Sequence, residues 1–546
     1  RILSMKACNF RTLCKQFRFI FLAIIFVTGC TNQTHTKVSE PEALVKKIPN
    51  STPEYTEPKG WARNDFDDII RYTPPEGDLV LALVTINSVE DAQKAAYQAW
   101  MRLDNNFQRD VQLITQSPAG KGWDNIWRVE YQTSPSEERV VLAWPHQFGD
   151  QWSVLLLDGH LGTVAKRSAA GGTMLQSLTR AGHKSEDLSE LAAKPFTPAM
   201  LEELLDFVEN AAEALQVPGV GIGIIENGKV VFSGGVGVKN LATNEPIDGD
   251  TRFMIASNTK GMTTLLLAKL VEMGRISWDD PVVTHYPEFK LGDQATTQSV
   301  LIKHLVCACT GLPRKDYEWL FNNAPDTPAK SVFTELANTQ PTSGFGEIYQ
   351  YNNQMAGAAG YVAAHLFYPN MEVGAAYDRA MQEVIFDPLG MSRTTFDFAK
   401  AIQNNAATPY TTHYDGKVYP IKQTNSSGFN HTVTAFRPAG AAWSTPNDML
   451  KYIYNELTEG VSPSGTRLFA QQPLLARRLA TVETGADSSY GMGLSTKTIG
   501  GIEVVEHGGS MAGYKSQMVI VPSANVGAVI LTNSDEGGAL LEPFGR

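Results

Sequence analysis

The stretch "MIASNTKGMTTLLLAKLVEMG", residues 254–274, limits the possible folds more than any other part of the chain. Met262, Leu265, Leu266, Leu267, Leu270, Val271 and Met273 are spread too widely around a helix to form one stripe. A helix over 257–273 must therefore be enclosed by other elements on most sides, with Gly274 as its stop. Lys260 falls in the first turn, three residues after Ser257, and that spacing sets both side chains on one face. Burial disfavours the ammonium form, so an enclosed lysine becomes a base near neutral pH, and a serine beside it becomes a plausible nucleophile. The helix N-terminus adds backbone N–H groups suited to an oxyanion. The same spacing also fits a Ser257 that merely caps the helix and a Lys260 that reaches solvent, so other segments have to decide.

Two segments bear on the choice. In "FGEIYQYNNQMAGAAGYVAAHLF", residues 345–367, a polar turn holding Tyr351, Asn352 and Asn353 precedes an alanine- and glycine-rich helix whose small residues permit close packing. A tyrosine and an amide at a helix entrance can share a proton with the Ser/Lys pair and hold a substrate carbonyl, or simply pack and cap. In "GGIEVVEHGGSMAGYKSQMVIVPSANVGAVILTN", residues 500–533, a strand ends at His507-Gly508-Gly509-Ser510 and two more apolar β-runs follow. Glycines there let backbone approach a substrate, and the Ser510 N–H is a candidate second oxyanion donor. Residues 508–512 nearly match the G-x-S-x-G elbow of α/β-hydrolases, but that elbow needs a helix after the turn, and here strands lie on both sides.

The order Ser257-x-x-Lys260, Tyr351-x-Asn353, His507-x-Gly509 resembles the three active-site motifs of the class C β-lactamase and DD-peptidase family of serine hydrolases. The likeness runs from about residue 200 to the end and includes "VPGVGIGIIENGKVVFSGGVGV", "EMGRISWDDPVVTHYPEF", "HLVCACTGLP", "IFDPLGMSRTTF" and "AGAAWSTPNDM". It implies an α+β fold: an antiparallel sheet flanked by helices, plus an all-helical subdomain. It implies Ser257 as acylated nucleophile, Lys260 with Tyr351 as proton-handling groups, and the backbone N–H groups of Ser257 and Ser510 as oxyanion hole. Asn353, His507, Gly508 and Gly509 would contact substrate, with no cofactor or metal. Histidine at 507, where true class C β-lactamases carry lysine, points towards the family's peptidases, amidases and esterases, because a largely neutral imidazole binds carboxylate less well. The expected activity is acyl transfer to Ser257 from a peptide, a D-amino-acid amide or an ester, cell-wall-derived substrates among them. The alternatives are a β-lactamase and a non-enzymatic penicillin-sensing or envelope-binding lipoprotein. The family also has a long helix after the last strand, which "SDEGGALLEPFGR" barely begins.

The rest of the chain implies further domains. Its 546 residues exceed one compact core. Residues 1–30 read as a signal peptide: Lys6, Arg11, Lys15 and Arg18 precede the short apolar run "FIFLAIIFVTGC", whose ending resembles a lipobox with Cys30 as the lipidated residue. That places the protein, anchored or secreted, on the periplasmic side of a bacterial envelope. Removing residues 1–29, which hold five basic groups and no acid, makes the net charge of −11 five units more negative, and nucleic acid is not an expected partner. Residues 31–60 are polar and proline-punctuated and read as a flexible linker, with order beginning near Trp61. Residues 61–190 form a small α+β domain: "DLVLALVTI", a helix "VEDAQKAAYQAWMRL", the runs "NIWRVEYQ", "ERVVLAWP" and "WSVLLLDG" as an antiparallel sheet, and a closing helix "AGGTMLQSLTRAG". His146, Asp158 and His160 are its suggestive polar groups and read as loop residues without function. The hydrolase-like domain covers 198–546, and its Asn227-Gly228 pair between β-rich runs predicts a hairpin. Cys307 and Cys309, with one residue between them, are not expected to pair without strain, and no zinc-ligand spacing is present.

Overall fold

The computed structural model describes residues 53–544. The signal peptide, Cys30 and most of the linker lie outside them. The described chain divides into two compact units, the first running to Ser189 and including Glu483–Ser488, the second comprising Glu190–Val482 and the chain from Ser489.

The first unit is a seven-stranded antiparallel sheet in the order Ala62–Phe66, Ile69–Thr73, Leu79–Asn87, Gln151–His160, Arg139–Phe148, Asn125–Tyr131, Val111–Ser117. Its central strands are apolar throughout because they bury both faces. Leu79, Leu81 and Leu83 enter one core with Leu155 and Leu157, under the helices Leu161–Lys166 and Ser168–Ser177. Ala82, Val84 and Ile86 enter the other with Val154 and Leu156, under the helix Ala92–Leu103. Three expectations are corrected here. Residues ahead of Trp61 already belong to the fold: Pro53–Glu54 pairs with Thr179–Arg180, and Tyr55 is buried with its hydroxyl 3.1 Å from that of Tyr72. That pairing also ends the closing helix at Ser177, short of Gly182. His146, Asp158 and His160 are strand residues with structural partners. His146 is buried with Nδ1 2.8 Å from the Trp144 carbonyl, Asp158 pairs with Arg139, and His160 accepts from the Gly162 N–H.

The second unit has an antiparallel sheet whose order includes Glu245–Pro246, Lys229–Asn240, Gly219–Glu226, Val526–Thr532, Tyr514–Val521, Ile502–Met511 and Ser495–Ile499. Asn227 and Gly228, at φ of 51° and 74°, close the hairpin between Glu226 and Lys229, as that dipeptide requires. On one face Val208, Ala211 and Ala212 of the helix Pro198–Leu215, capped by Thr197, pack on Ile222, Ile224 and Ile530. After the last strand the chain forms the helix Gly538–Phe544, and Leu540 is buried in the same cluster.

The opposite face carries the main core. Between Met254 and Tyr410 every described element is helical. At the centre lies the helix Thr259–Glu272, with residues 259–268 and Leu270 buried, beside the helix Asn353–Phe367. The small residues of the latter are steric requirements: a Cβ on Gly360 would sit 2.3 Å from Pro438 and 2.7 Å from the Tyr377 ring. Next to the Thr259–Glu272 helix, Glu456 and Arg477 form a fully buried ion pair, with Arg478 on the second carboxylate oxygen, while Arg477 also donates to the Gly261 carbonyl at 2.9 Å. Burial alone would raise the Glu456 pKa, but the two guanidiniums hold it below the ordinary value. Removing the carboxylate charge strands both cations in the core. Glu456→Gln is expected to lose about 3–5 kcal/mol of stability in a denaturant titration, and a loss under about 1 kcal/mol would contradict this account of the core.

Candidate active site

The chain reaches the candidate nucleophile through a strained turn. Ala256 has a φ of +48°, an uncommon conformation for a residue with a Cβ, and it turns Ser257 away from the core into a 3₁₀ turn, Ala256–Asn258, that leads into the helix. From Thr251 to Ala268, Ser257 alone is not buried. Hydrogen bonds from three directions hold the turn. Ser516 Oγ donates to the Ile255 carbonyl at 2.7 Å and accepts from Asn258 Nδ2 at 2.8 Å. The Ile255 N–H donates to the Ala442 carbonyl at 2.9 Å, and Thr259 Oγ1 donates to the Ala256 carbonyl at 2.6 Å.

Lys260 is 1% exposed. Its Nζ lies 2.7 Å from Asn353 Oδ1, 2.6 Å from the Ala439 carbonyl and 3.0 Å from Ser257 Oγ. Asn353 Nδ2 donates to Asp316 Oδ1 at 2.8 Å, which assigns the amide carbonyl to the lysine side. Two of the three partners of Nζ can therefore only accept, whereas a hydroxyl can donate. An ammonium would donate to all three oxygens; a neutral amine fits equally well, with its two N–H groups on the carbonyls and its lone pair towards the Ser257 hydroxyl. Burial, the largest influence, pushes the Lys260 pKa well below that of a free lysine; the Asp316 carboxylate pulls it up and the Arg314 guanidinium pulls it down.

Tyr351 lies over this pair, with Lys260 Nζ 4.7 Å from its ring centre. Its hydroxyl has no hydrogen-bond partner among the described residues, although Ser257 lies close enough to temper the rise in pKa that burial causes. The phenol therefore stays protonated, a donor facing the nucleophile. Asn352, not Asn353, caps the following helix by accepting from the Met355 N–H at 2.8 Å, which leaves Asn353 free for Lys260.

His507 is buried on the strand Ile502–Met511. Its Nδ1 is 2.6 Å from the Gly508 carbonyl, an obligate acceptor, so Nδ1 carries the proton and Nε2 accepts from the Tyr490 hydroxyl at 3.0 Å. Burial, and secondarily the charge of Lys260, push its pKa down to about 3, so the ring is neutral at physiological pH. Gly509 follows where the strand touches the nucleophile turn: a Cβ there would lie 2.3 Å from both the Ile255 carbonyl and Ser516 Oγ. Gly508 is half-buried, and Ser510, one residue further, is exposed.

Ser257, Lys260, Tyr351, Asn353 and the 507–510 strand end are thus brought together. Sequence reading missed Asp316, Arg314, Tyr490 and the Ala439 carbonyl. The spacing Arg314-x-Asp316 after "TGLP" was the only signal for the first two. It also misjudged the cysteines: Cys307 and Cys309 are joined as a disulfide, packed with Tyr490, Tyr349 and Tyr351. Ala308 adopts φ +54° and brings the two Cα atoms to 5.1 Å, within the usual bridging range.

A family model described as Beta-lactamase matches residues 204–542. The chain belongs to the beta-lactamase family. Its mixed α and β fold, with antiparallel sheets and helices, agrees with that membership. Among curated proteins, the chain is 23% identical over 341 residues to Protein flp of Staphylococcus aureus (strain COL), covering 61% of this chain and 63% of that protein, less than two thirds of its length. It is 25% identical over 363 residues to unguisins hydrolase ungD of Aspergillus violaceofuscus, covering 60% of this chain and 61% of that one. Among solved structures, the octameric penicillin-binding protein homologue from Pyrococcus abyssi superposes with a TM-score of 0.53 at 23% identity, covering 62% of this chain and 74% of that one. A D-amino acid amidase from Ochrobactrum anthropi SV3, complexed with D-phenylalanine, gives 0.51 at 22% identity, covering 63% and 95%. Both likenesses show the fold.

The contact at Gly509 yields a direct check. In Gly509→Ala the new methyl must displace the Ile255–Ser257 turn, so reaction of Ser257 with a fluorophosphonate should slow about 100-fold. An unchanged labelling rate would show that the turn is not held from the strand.

Proposed function

We propose that this protein is a serine hydrolase that forms an acyl-enzyme at Ser257 on an amide, peptide or ester substrate. One observation carries the reading: Lys260 Nζ, buried and flanked by two carbonyl acceptors, has its remaining position directed at Ser257 Oγ. In the first half-reaction Ser257 Oγ bonds to the substrate carbonyl carbon while its proton passes to Lys260 Nζ. The negative charge moves onto the carbonyl oxygen, facing the N–H groups of Ser257 and Ser510. Collapse of the adduct breaks the bond to the leaving group, which takes up a proton from Lys260 through the Tyr351 hydroxyl. Water then repeats the sequence on the acyl-enzyme, releasing the acid and returning the proton to Ser257.

The state of His507 favours the amidase and esterase side of the family over β-lactam hydrolysis. A neutral ring with both nitrogens engaged offers no charge for a substrate carboxylate at that position. The D-amino acid amidase among the structural neighbours and the hydrolase among the curated relatives are consistent with an amide substrate. We also propose lipid anchoring at Cys30 in a bacterial envelope. The support is the basic, apolar N-terminal segment and its lipobox-like ending, and metabolic labelling with a fatty acid is the check.

Ser257→Ala is expected to abolish both fluorophosphonate labelling and hydrolysis of a nitrophenyl ester, and full activity in that variant would refute the reading. In His507→Lys, acylation by a penicillin should rise about tenfold relative to a neutral ester, the order of one added charge contact in a partly desolvated site. An unchanged ratio would remove His507 from substrate discrimination.

A further inference from the structure

Asp316 opens the short helix Asp316–Asn322, and its side chain is 13% exposed. Three groups meet its carboxylate. Oδ1 accepts from Asn353 Nδ2 at 2.8 Å and from Trp319 Nε1 at 3.1 Å, while Oδ2 is paired with Arg314 Nε. Lys260, on the other side of the Asn353 amide, feels its charge through space. Arg314 is more open, 38% exposed, and its guanidinium lies 5.0 Å from the centre of the Tyr351 ring. The chain Arg314–Asp316–Asn353–Lys260–Ser257 is therefore continuous, and its links from Arg314 to Asn353 have a fixed donor and acceptor.

An asparagine amide has two ends of nearly equal size. Turned round, Asn353 would present N–H groups to Lys260 Nζ, which then has one carbonyl fewer to donate to and must turn a hydrogen towards Ser257. The carboxylate, which only accepts, forbids that arrangement. We propose that Asp316, itself held by Arg314 and Trp319, is a positioning residue: it fixes the Asn353 amide so that the carbonyl faces Lys260 and the amine lone pair faces Ser257. This rests on the serine-hydrolase reading above. It adds that the base depends on a residue that touches neither Ser257 nor Lys260.

The charge of Asp316 acts separately from its orienting bond. The titratable groups facing Lys260 are Asp316, Arg314, Tyr351 and His507. The phenol stays protonated and the imidazole neutral, so Asp316 and Arg314 supply the charge. Losing the carboxylate removes the influence that raises the Lys260 pKa, so the acid limb of kcat/KM moves to lower pH.

The test is nitrophenyl-ester kinetics across pH for the whole protein and for Asp316→Ala, Asp316→Asn, Asn353→Ala and the Asp316→Ala/Asn353→Ala double variant, with thermal melts to verify folding. Asp316→Ala should lower kcat about 10- to 100-fold with KM little changed. Asp316→Asn, which keeps an acceptor for Asn353, should recover most of that loss. Both should show the acid limb at lower pH. In the Asn353→Ala background, Asp316→Ala should cost less than about threefold, because the amide it orients is gone. Equal losses in the alanine and asparagine variants, or an undiminished loss in the Asn353→Ala background, would overturn the proposal while leaving the hydrolase reading intact. Wild-type protein without Ser257-dependent turnover would overturn both.

Discussion

Everything at the site depends on one amine that has been taken out of water and given two carbonyls. A lysine in the apolar centre of a core is costly as an ammonium and inexpensive as an amine. Here the amine form is also satisfied, by Asn353 and Ala439. Bringing these acceptors to Nζ dictates much of the surrounding architecture. The helix Asn353–Phe367 lies beside Thr259–Glu272, and its Gly360 leaves no room for a Cβ against Pro438 and the Tyr377 ring. Gly493, at φ +73°, must pass so near the Lys260 backbone that a Cβ would lie 2.9 Å from its carbonyl.

A second constraint is mechanical. The serine is turned out of the core by a residue in a disfavoured conformation, and such strain persists only where neighbours over-determine it. Ser516 and Ala442 tie the turn by hydrogen bonds, and Gly509 closes on it from the adjacent strand. The strand end that carries Ser510 and the turn that carries Ser257 are therefore held in register by the same contacts. Two backbone N–H groups can serve one oxyanion only if their spacing survives thermal motion. His507, locked as a neutral ring by Tyr490 and the Gly508 carbonyl, belongs to the same rigid edge.

Much of this was legible in the sequence where the signal is local. Asn227-Gly228 requires its hairpin because few other dipeptides accept two positive φ angles. The breadth of apolar residues around Thr259–Glu272 requires enclosure, and the doubly buried strands around Leu81 and Leu156 reveal themselves as unbroken apolar runs. What escaped was non-local or locally atypical. The edge strand "ARNDF", Ala62–Phe66, is mostly exposed and shows no apolar alternation, so only its pairing with Ile69–Thr73 makes it a strand. Tyr55 looks like linker until Tyr72 is placed against it. Asp316 and Arg314 sit in a polar loop where charged residues are unremarkable, and their importance comes from Asn353, thirty-seven positions away. The Cys307–Cys309 bridge was not expected because one intervening residue leaves little room for it, and the left-handed conformation of Ala308 is what brings the two cysteines together.

The central claim is that Lys260 is a neutral base directed at Ser257, and the pH dependence of Ser257 acylation by an uncharged fluorophosphonate tests it most directly. The account predicts a rate that rises with pH as Lys260 loses its proton and levels off far below the 10.5 of a free lysine, with that limb abolished in Lys260→Ala. A rate that keeps climbing towards the free-lysine value, or a profile that Lys260→Ala leaves unaltered, would contradict it.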